Sequence, residues 1–345
     1  MNTLSVIILN WNGRKLLEQF LPSVLKHSKG PAFDVVVADN GSGDDSVEWM
    51  KREHPEVKLL CFDRNYGFAE GYNKAVIETE SDYVVLLNSD VETTPGWLDS
   101  LYEYMEGHPD VVACQPKIRS YACRYRFEYA GAAGGYIDRY GYPFCRGRIQ
   151  DNVEHDLRQY DTVADVFWAT GACLMVRREA YLQADGLDAG FFAHMEEIDL
   201  CWRLRSRGQR IVCIPSSVVY HVGGATLDAG NPRKTFFNFR NNLLMLYKNL
   251  PENQLRKVFF CRWWLDVMAA FFFVFKGEVE SAKAISKAHR SFRRMKGEYA
   301  SLRANIQAAV VLKDIPEIYQ RSIVFDYYLR GRKTYAALKD EKSKR

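Results

Sequence analysis

Asp39 closes an apolar run, Val35-Val36-Val37-Ala38-Asp39-Asn40-Gly41-Ser42-Gly43. A carboxylate at the carboxyl end of a strand, just before a glycine turn, can accept a hydrogen bond from a ring N–H such as N3 of uracil or thymine. An aspartate that only shapes the turn is the plainer alternative. Leu86-Leu87-Asn88-Ser89-Asp90-Val91-Glu92 passes as abruptly from apolar to polar. Asp90 could serve there as a hard oxygen ligand for Mg2+ or Mn2+, the charge a departing diphosphate needs against it. Helix capping ahead of Pro95 would also account for it.

Phe191-Phe192-Ala193-His194-Met195-Glu196-Glu197-Ile198-Asp199-Leu200-Cys201-Trp202-Arg203 places three carboxylates within four positions. On a helix Glu196 and Asp199 share a face, while Glu197 points elsewhere. Apolar neighbours on the N-terminal side would raise a carboxylate's pKa and suit it to general-base work. A solvated acidic first turn, favoured by the helix dipole, is the alternative. His221 follows another apolar run and precedes Gly223 and Gly224. It is either a structural histidine or one that a glycine-permitted close approach brings to a ligand.

These groups need elements to hold them. Ser5–Leu9, Asp34–Ala38, Lys58–Phe62 and Tyr83–Leu87 read as buried strands, separated by helices over Arg14–His27, Asp44–Glu53 (with Ser42 or Asp44 as N-cap) and Phe68–Thr79. Continuous apolar strands alternating with helices predict an α/β fold, a parallel sheet covered on both faces, with ligands outside the strands' carboxyl ends. A helix over Pro95–Glu106 and a strand over Val111–Lys117 follow. Residues 120–160, rich in Tyr, Gly and Arg, predict loops with short strands over the site. Strand character returns over Val163–Val176, then a helix over Met195–Arg207 and a strand over Arg210–Ile214, and from about Asn238 every segment reads as helix.

The net charge of +4 hides an asymmetry: residues 1–250 carry a net −6 and residues 251–345 a net +10. A basic, aromatic-rich tail behind an acidic front half points to chemistry in front and an anionic surface behind. Val258–Phe275 is the candidate membrane span, but it contains Arg262 and Asp266, each costing roughly 2.5–3.5 kcal/mol near a bilayer centre. A helix lying in the interface, followed by Lys283, Lys287, Arg290, Arg293, Arg294 and Lys296, fits better than a span; a helix buried against the rest of the protein is the alternative. The eight cysteines show no CxxC and sit mostly singly among apolar residues, so they read as reduced thiols of a cytoplasmic protein, and nothing at Met1-Asn2-Thr3-Leu4 reads as a signal peptide.

Together with Ser5-Val6-Ile7-Ile8-Leu9-Asn10-Trp11-Asn12-Gly13 and Asn65-Tyr66-Gly67-Phe68-Ala69-Glu70-Gly71-Tyr72-Asn73, these motifs closely resemble the inverting family 2 glycosyltransferases, in a branch similar to rhamnosyltransferase-like enzymes. The resemblance covers about residues 3–250. It implies the GT-A fold, Rossmann-like with a mostly parallel central sheet, and a nucleotide-diphosphate-sugar donor with a divalent metal. It places Leu9, Asn10 and Asp39 around the base, Asn65, Gly67, Asn73 and Asn88 on the donor, and Asp90 with His221 at the metal or diphosphate. Trp168-Ala169-Thr170-Gly171-Ala172-Cys173 resembles the strand beneath the acceptor, with Asp199 on the same side. Glu197, beside Glu196, stands where the family has its base. Two departures stand out: Asn88-Ser89-Asp90 has a neutral residue at one end of the metal motif, and Glu196-Glu197 replaces Glu-Asp.

The resulting expectation is a catalytic domain over 1–240, with a donor half over about 1–117 and an acceptor and base half over 118–240, followed by a basic helical region over 241–345. The reaction expected is a direct displacement: Glu197 takes the proton of an acceptor hydroxyl, and UDP or dTDP leaves. The acceptor is a glycan or lipid-linked glycan of cell-surface polysaccharide synthesis. A sugar-nucleotide pyrophosphorylase would need a glycine-rich basic loop where Asn10–Lys15 stands, and a dehydrogenase would need GxGxxG after the first strand. A non-catalytic carbohydrate-binding module would not need Asp39, Asp90, Glu197 and His221 together. The hydrophobic helix makes a membrane, not nucleic acid, the partner expected for the tail.

Overall fold

The computed structural model describes residues 3–223 and 231–339; Gly224, the second glycine after His221, lies outside them, as do Met1 and Asn2. The first part of the chain alternates strand and helix: β1 (Leu4–Asn10), α1 (Arg14–His27), β2 (Phe33–Asp39), α2 (Ser46–Glu53), β3 (Lys58–Cys61), α3 (Gly67–Ile77), β4 (Tyr83–Asn88), β5 (Val91–Thr93), α4 (Trp97–Gly107) and β6 (Val111–Ser120). An irregular stretch carries β7 (Gly135–Asp138), β8 (Pro143–Cys145), β9 (Arg148–Ile149), β10 (Asn152–Val153) and β11 (Ala164–Asp165). Then come β12 (Cys173–Arg177), α5 (Arg178–Gln183), α6 (Glu196–Ser206) and β13 (Arg210–His221). The last part holds α7 (Pro232–Asn249), α8 (Glu252–Phe275), α9 (Val279–Met295), α10 (Ala300–Ala308), β14 (Ile318–Tyr319), α11 (Ile323–Tyr328) and α12 (Tyr335–Lys339).

The central sheet runs β11-β13-β6-β12-β4-β1-β2-β3, with β5 added on β13. The half formed by β4, β1, β2 and β3 is parallel, as the apolar strands and intervening helices predict. Beyond it the sheet is mixed, because β12 runs antiparallel between β4 and β6. Both faces are buried. Val6, Ile8, Val37, Val85 and Leu87 point towards the side of Leu17, Trp49 and Trp97, while Ile7, Val36, Val84 and Leu86 point towards Tyr72, Leu200 and Leu244. That two-sided burial is why these strands read as unbroken apolar runs.

Three local differences from the sequence reading have physical causes. The residue at the N-cap of α2 is Asp45, not Ser42 or Asp44, although Asp44 Oδ1 accepts the Ser46 N–H at 3.2 Å and so does the capping work from one position earlier. Ser42 instead turns back to the first strand's end, its hydroxyl accepting the Asn12 N–H at 2.9 Å. The C-terminal region is not wholly helical: β14 pairs parallel with β7 and completes a second sheet, β10-β9-β8-β7-β14. Position 240 falls inside α7, which starts under an Asn231 side-chain cap with Pro232 in its first turn.

The apolar helix α8 is fastened through its two buried charged residues. Arg262 and Asp266 are 2% and 1% exposed and bond to each other at 2.9 Å. Asp266 also accepts the Tyr142 hydroxyl at 3.2 Å and lies 2.9 Å from His289 Nε2, and Arg262 stacks 3.9 Å over the Tyr142 ring. Phe260, Trp263, Trp264, Phe271 and Phe275 stay exposed, so α8 packs on the rest of the protein along one side only.

Candidate active site

The central sheet's register brings the distant polar groups together. His221, the last residue of β13, pairs with Val91, which sets Asp90 beside it. The Val222 N–H donates to the Asp90 carbonyl at 3.2 Å, and the Asn88 N–H donates to the Ala172 carbonyl at 3.0 Å. The turn Asn88-Ser89-Asp90 is therefore sewn to the end of β13 on one side and to the start of β12 on the other.

Within this junction His221 Nε2 lies 3.1 Å from Asp90 Oδ1 and 3.4 Å from Asn88 Nδ2, and its Nδ1 lies 3.5 Å from Glu128 Oε2. Burial disfavours a charged imidazole, but the two carboxylates outweigh it and lift the His221 pKa to about 10. The same contact holds Asp90 below its ordinary value against the opposing effect of burial. With its proton displaced, the imidazole nitrogen could join this carboxylate oxygen as a ligand of a single Mg2+ or Mn2+, so metal binding here would release the proton that the two carboxylates hold. Among the described residues no three His, Cys, Asp or Glu side chains are arranged to hold a metal alone, so diphosphate and water oxygens would fill the rest of its shell.

Glu196 and Glu197 open α6, just after a loop in unusual backbone: Phe192, His194 and Met195 have φ of 64°, 71° and 74°. Conformations of this kind persist only where the surroundings enforce them. Here the enforcement comes from α7 and α3. The Asn241 side-chain amide donates to the carbonyls of Phe191, Ala193 and His194, Arg240 donates to those of Gly190 and Phe191, and the Phe68 N–H donates to the Phe192 carbonyl at 2.9 Å. Gly67 has φ of +80°, and a Cβ there would lie 2.7 Å from the Phe192 ring, so this position needs glycine for both reasons.

Burial raises both carboxyl groups. Glu197 is brought from about 4.5 to about 7, moderated by backbone N–H groups, and Glu196 is pushed well above its ordinary value by burial and by Glu197. One carboxylate oxygen of each has no hydrogen-bond partner among the described residues. A Cβ on Gly171 would lie 3.3 Å from the Phe68 ring and 3.8 Å from the Glu197 Cβ, so the bare backbone packs closely against both.

Glu196, Glu197, Asn88, Asp90, His221, Leu9, Asn65, Gly67, Trp168, Gly171 and Ala172 all face one cleft of about 2490 Å³. Four expected site residues do not. Asn10 and Asp39 stand just behind the wall, the Asn10 amide donating to Asp39 at 3.0 Å and the Ser42 N–H taking the other carboxylate oxygen at 2.9 Å. Asn73 bonds to the Leu187 backbone and the Tyr181 hydroxyl and so holds α3 to the loop before α6. Asp199 is fully buried against Lys248, Arg203 and Asn249 at 2.8–3.0 Å. Burial alone would raise its pKa, but the two cations hold it low. Helical spacing gave Asp199 the right face, but three residues along the axis set it beneath the cleft and against α7.

The sequence reading passed over other cleft residues. Asn40 lines it and organises its rim, bonding to Asn65, to the Gly67 carbonyl and to the Tyr66 N–H. Glu128 lay in the irregular 120–160 stretch with no motif around it. Trp11 is half exposed at the rim, and Arg233, in the first turn of α7, reaches over the Phe192 and Phe237 rings. Trp11 was visible in the first-strand motif; Arg233 carried no local signal.

A large cleft at the carboxyl ends of β1, β2 and β4, with the Asn88-Ser89-Asp90 turn on one part of its wall and a pair of buried carboxyl groups on another, is the arrangement of a GT-A-like glycosyltransferase. The family model of Glycosyl transferase family 2 matches residues 5–183, and the chain belongs to that family. Among similar proteins, N-acetylglucosaminyl-diphospho-decaprenol L-rhamnosyltransferase of Mycobacterium tuberculosis is 29% identical over 235 residues, spanning 64% of this chain and 76% of that one. Rhamnosyltransferase WbbL of Escherichia coli is 25% identical over 199 residues, spanning 55% of this chain and 72% of that one. The fold matches that of GalNAc-T7 solved with UDP, GalNAc and Mn2+ (TM-score 0.57, 14% identity, covering 92% of this chain and 58% of that one). It also matches S. aureus TarS 1–349 in complex with UDP-GlcNAc (TM-score 0.54, 16% identity, covering 96% and 93%).

Proposed function

We propose that the protein is an inverting, metal-dependent sugar transferase that moves a hexose, rhamnose by its likeness to the rhamnosyltransferases, from a UDP- or dTDP-sugar to a lipid-linked glycan in cell-surface polysaccharide synthesis. The observation that carries this reading is the shared cleft of Asp90 and His221 with Glu197, around the small residues Gly171 and Ala172. The base lies against Leu9, Trp11 and Asn40, with Asn10 and Asp39 buried behind them and bracing that wall. Asp90 and His221, with Asn88 beside them, would hold Mg2+ or Mn2+, which would supply positive charge against the departing diphosphate. The acceptor sugar rests over Trp168, Gly171 and Ala172. Glu197 takes the proton from the attacking hydroxyl, and Glu196, kept protonated by burial, leaves it the single negative charge of the pair. Residues up to about 117 form the donor half and residues 118–240 the acceptor and base half.

The protein works at the cytoplasmic face of the membrane as a peripheral protein. Two observations support that placement. Arg262 and Asp266, the charged residues within the apolar stretch of α8, are turned inward while most of its large apolar side chains are exposed, and Lys283, Lys287, Arg290, Arg293, Arg294 and Lys296 of α9 and its end are exposed, a complement to anionic lipid. Thermal-shift screening of UDP-, dTDP- and GDP-sugars with Mn2+, followed by NMR of the transferred anomeric proton, tests the reading. Stabilisation by a UDP- or dTDP-sugar and inversion of configuration are expected; a retained configuration, or no response to any donor, would refute it.

A further inference from the structure

The cleft continues beyond the sugar chemistry into an apolar wall. Phe260, Trp264, Met268 and Phe272 of α8, four residues apart and so on one helix face, border the same cavity as Glu197. Tyr328 of α11 stands 6.5 Å from Phe272, ring to ring, and also lines it. These α8 residues are 47–65% exposed, and a nucleotide or a sugar has no use for such a wall. An adjacent set on the same helix, Trp263, Phe271 and Phe275, is exposed but does not border the cavity. One helix thus presents an apolar face to the cleft and another to the surroundings. Lys276 closes the cleft-facing stripe at the next fourfold step, and the basic face of α9 follows.

We propose that the α8 wall is the berth of the acceptor's lipid, one polyprenyl chain carrying a diphosphate-linked glycan, which enters sideways from an anionic bilayer alongside α8 and brings its sugar to Glu197. The inference rests on the reading that the acceptor is lipid-linked. It adds where the chain lies and how it arrives. Two features favour lipid over a protein partner. The apolar stripe is continuous with the reaction cleft, and the basic residues around it complement anionic headgroups. A chain anchored in the bilayer would pass from one face of α8 to the next without crossing water.

The test is binding of radiolabelled decaprenyl phosphate, in neutral detergent micelles, to the full chain, with phosphatidic acid as the competing lipid. The wild type is expected to bind decaprenyl phosphate saturably and to be displaced at least tenfold less well by phosphatidic acid. Ala269→Trp, which fills the wall, and Met268→Glu, which charges it, each lower affinity tenfold or more. Phe275→Asp, at a side chain 96% exposed outside the cavity, changes micelle binding less than twofold but weakens partition onto anionic vesicles about tenfold. Retained donor-induced thermal shifts identify folded variants. Equal displacement by phosphatidic acid, unchanged binding in both wall variants, or an equal loss in Phe275→Asp would overturn the proposal. Because the readout needs no sugar transfer, an enzyme inactive on lipid-linked glycans would count against the proposed function alone.

Discussion

The imidazole of His221 lies 3.1 Å from the carboxylate of Asp90 because the antiparallel pairing of β13 with β5 sets His221 opposite Val91. The contact belongs to the sheet's register and not to loop geometry, so the fold itself sets the two side chains beside each other.

Asp90→Asn and His221→Ala should each abolish the dependence of donor affinity on Mn2+. Calorimetric titration of the nucleotide with and without EDTA checks this. The parent is expected to lose at least tenfold in affinity on chelation, and each variant less than twofold.

Glu197 should leave a pH signature with opposite signs in activity and stability. Its pKa is raised from about 4.5 to about 7, so kcat/KM should climb through pH 7 as the carboxylate forms and level off above it. Between about pH 4.5 and 7 the folded protein binds more protons than the unfolded chain, so this group's contribution to stability falls as pH rises through that window. Glu197→Gln should flatten the activity profile and gain thermal stability relative to the parent at pH 8 more than at pH 4.

Asp199→Asn should destabilise without changing specificity. It weakens a buried carboxylate shared by Lys248 and Arg203, a loss of about 3–5 kcal/mol in denaturant unfolding. The acceptor KM of the folded fraction should stay within about twofold; a tenfold rise would restore Asp199 to the acceptor site.

Gly67→Ala should cost about 1–3 kcal/mol, the strain of a side chain at positive φ. It should also lower turnover, because the added methyl meets Phe192, in the loop that leads into Glu196 and Glu197. Unfolding and turnover measured on the same preparation check both effects.

The parallel half of the sheet and most of the cleft were legible in the sequence for a simple reason. Strands β1, β2 and β4 are buried on both faces, so each is a continuous apolar run whose polar terminus marks the ligand edge. Periodicity reports which face of a helix a residue takes but not its depth, so Asp199, which shares a face with Glu196, looked like a site residue; Asn73, placed on the donor by the resemblance, instead ties α3 to the loop before α6. Glu128 and Arg233 reach the cleft by tertiary packing of irregular chain and of a helix start, which leaves no local pattern. Strand β14, two residues long, exists only through its pairing with β7. Arg262 and Asp266 stood out as charges within an apolar run, and only the structure shows that they pair with each other and with Tyr142 and His289.

The proposed reaction needs a cation site and an unprotonated carboxylate acting on one sugar carbon from a shared cleft. Its most direct measurement is Glu197→Gln, with donor affinity in the presence of Mn2+ determined alongside single-turnover transfer. Transfer lowered about 10²–10⁴-fold, with donor affinity within about threefold of the parent, is the expected result. Transfer near the parent rate, or donor affinity lost together with transfer, would contradict it.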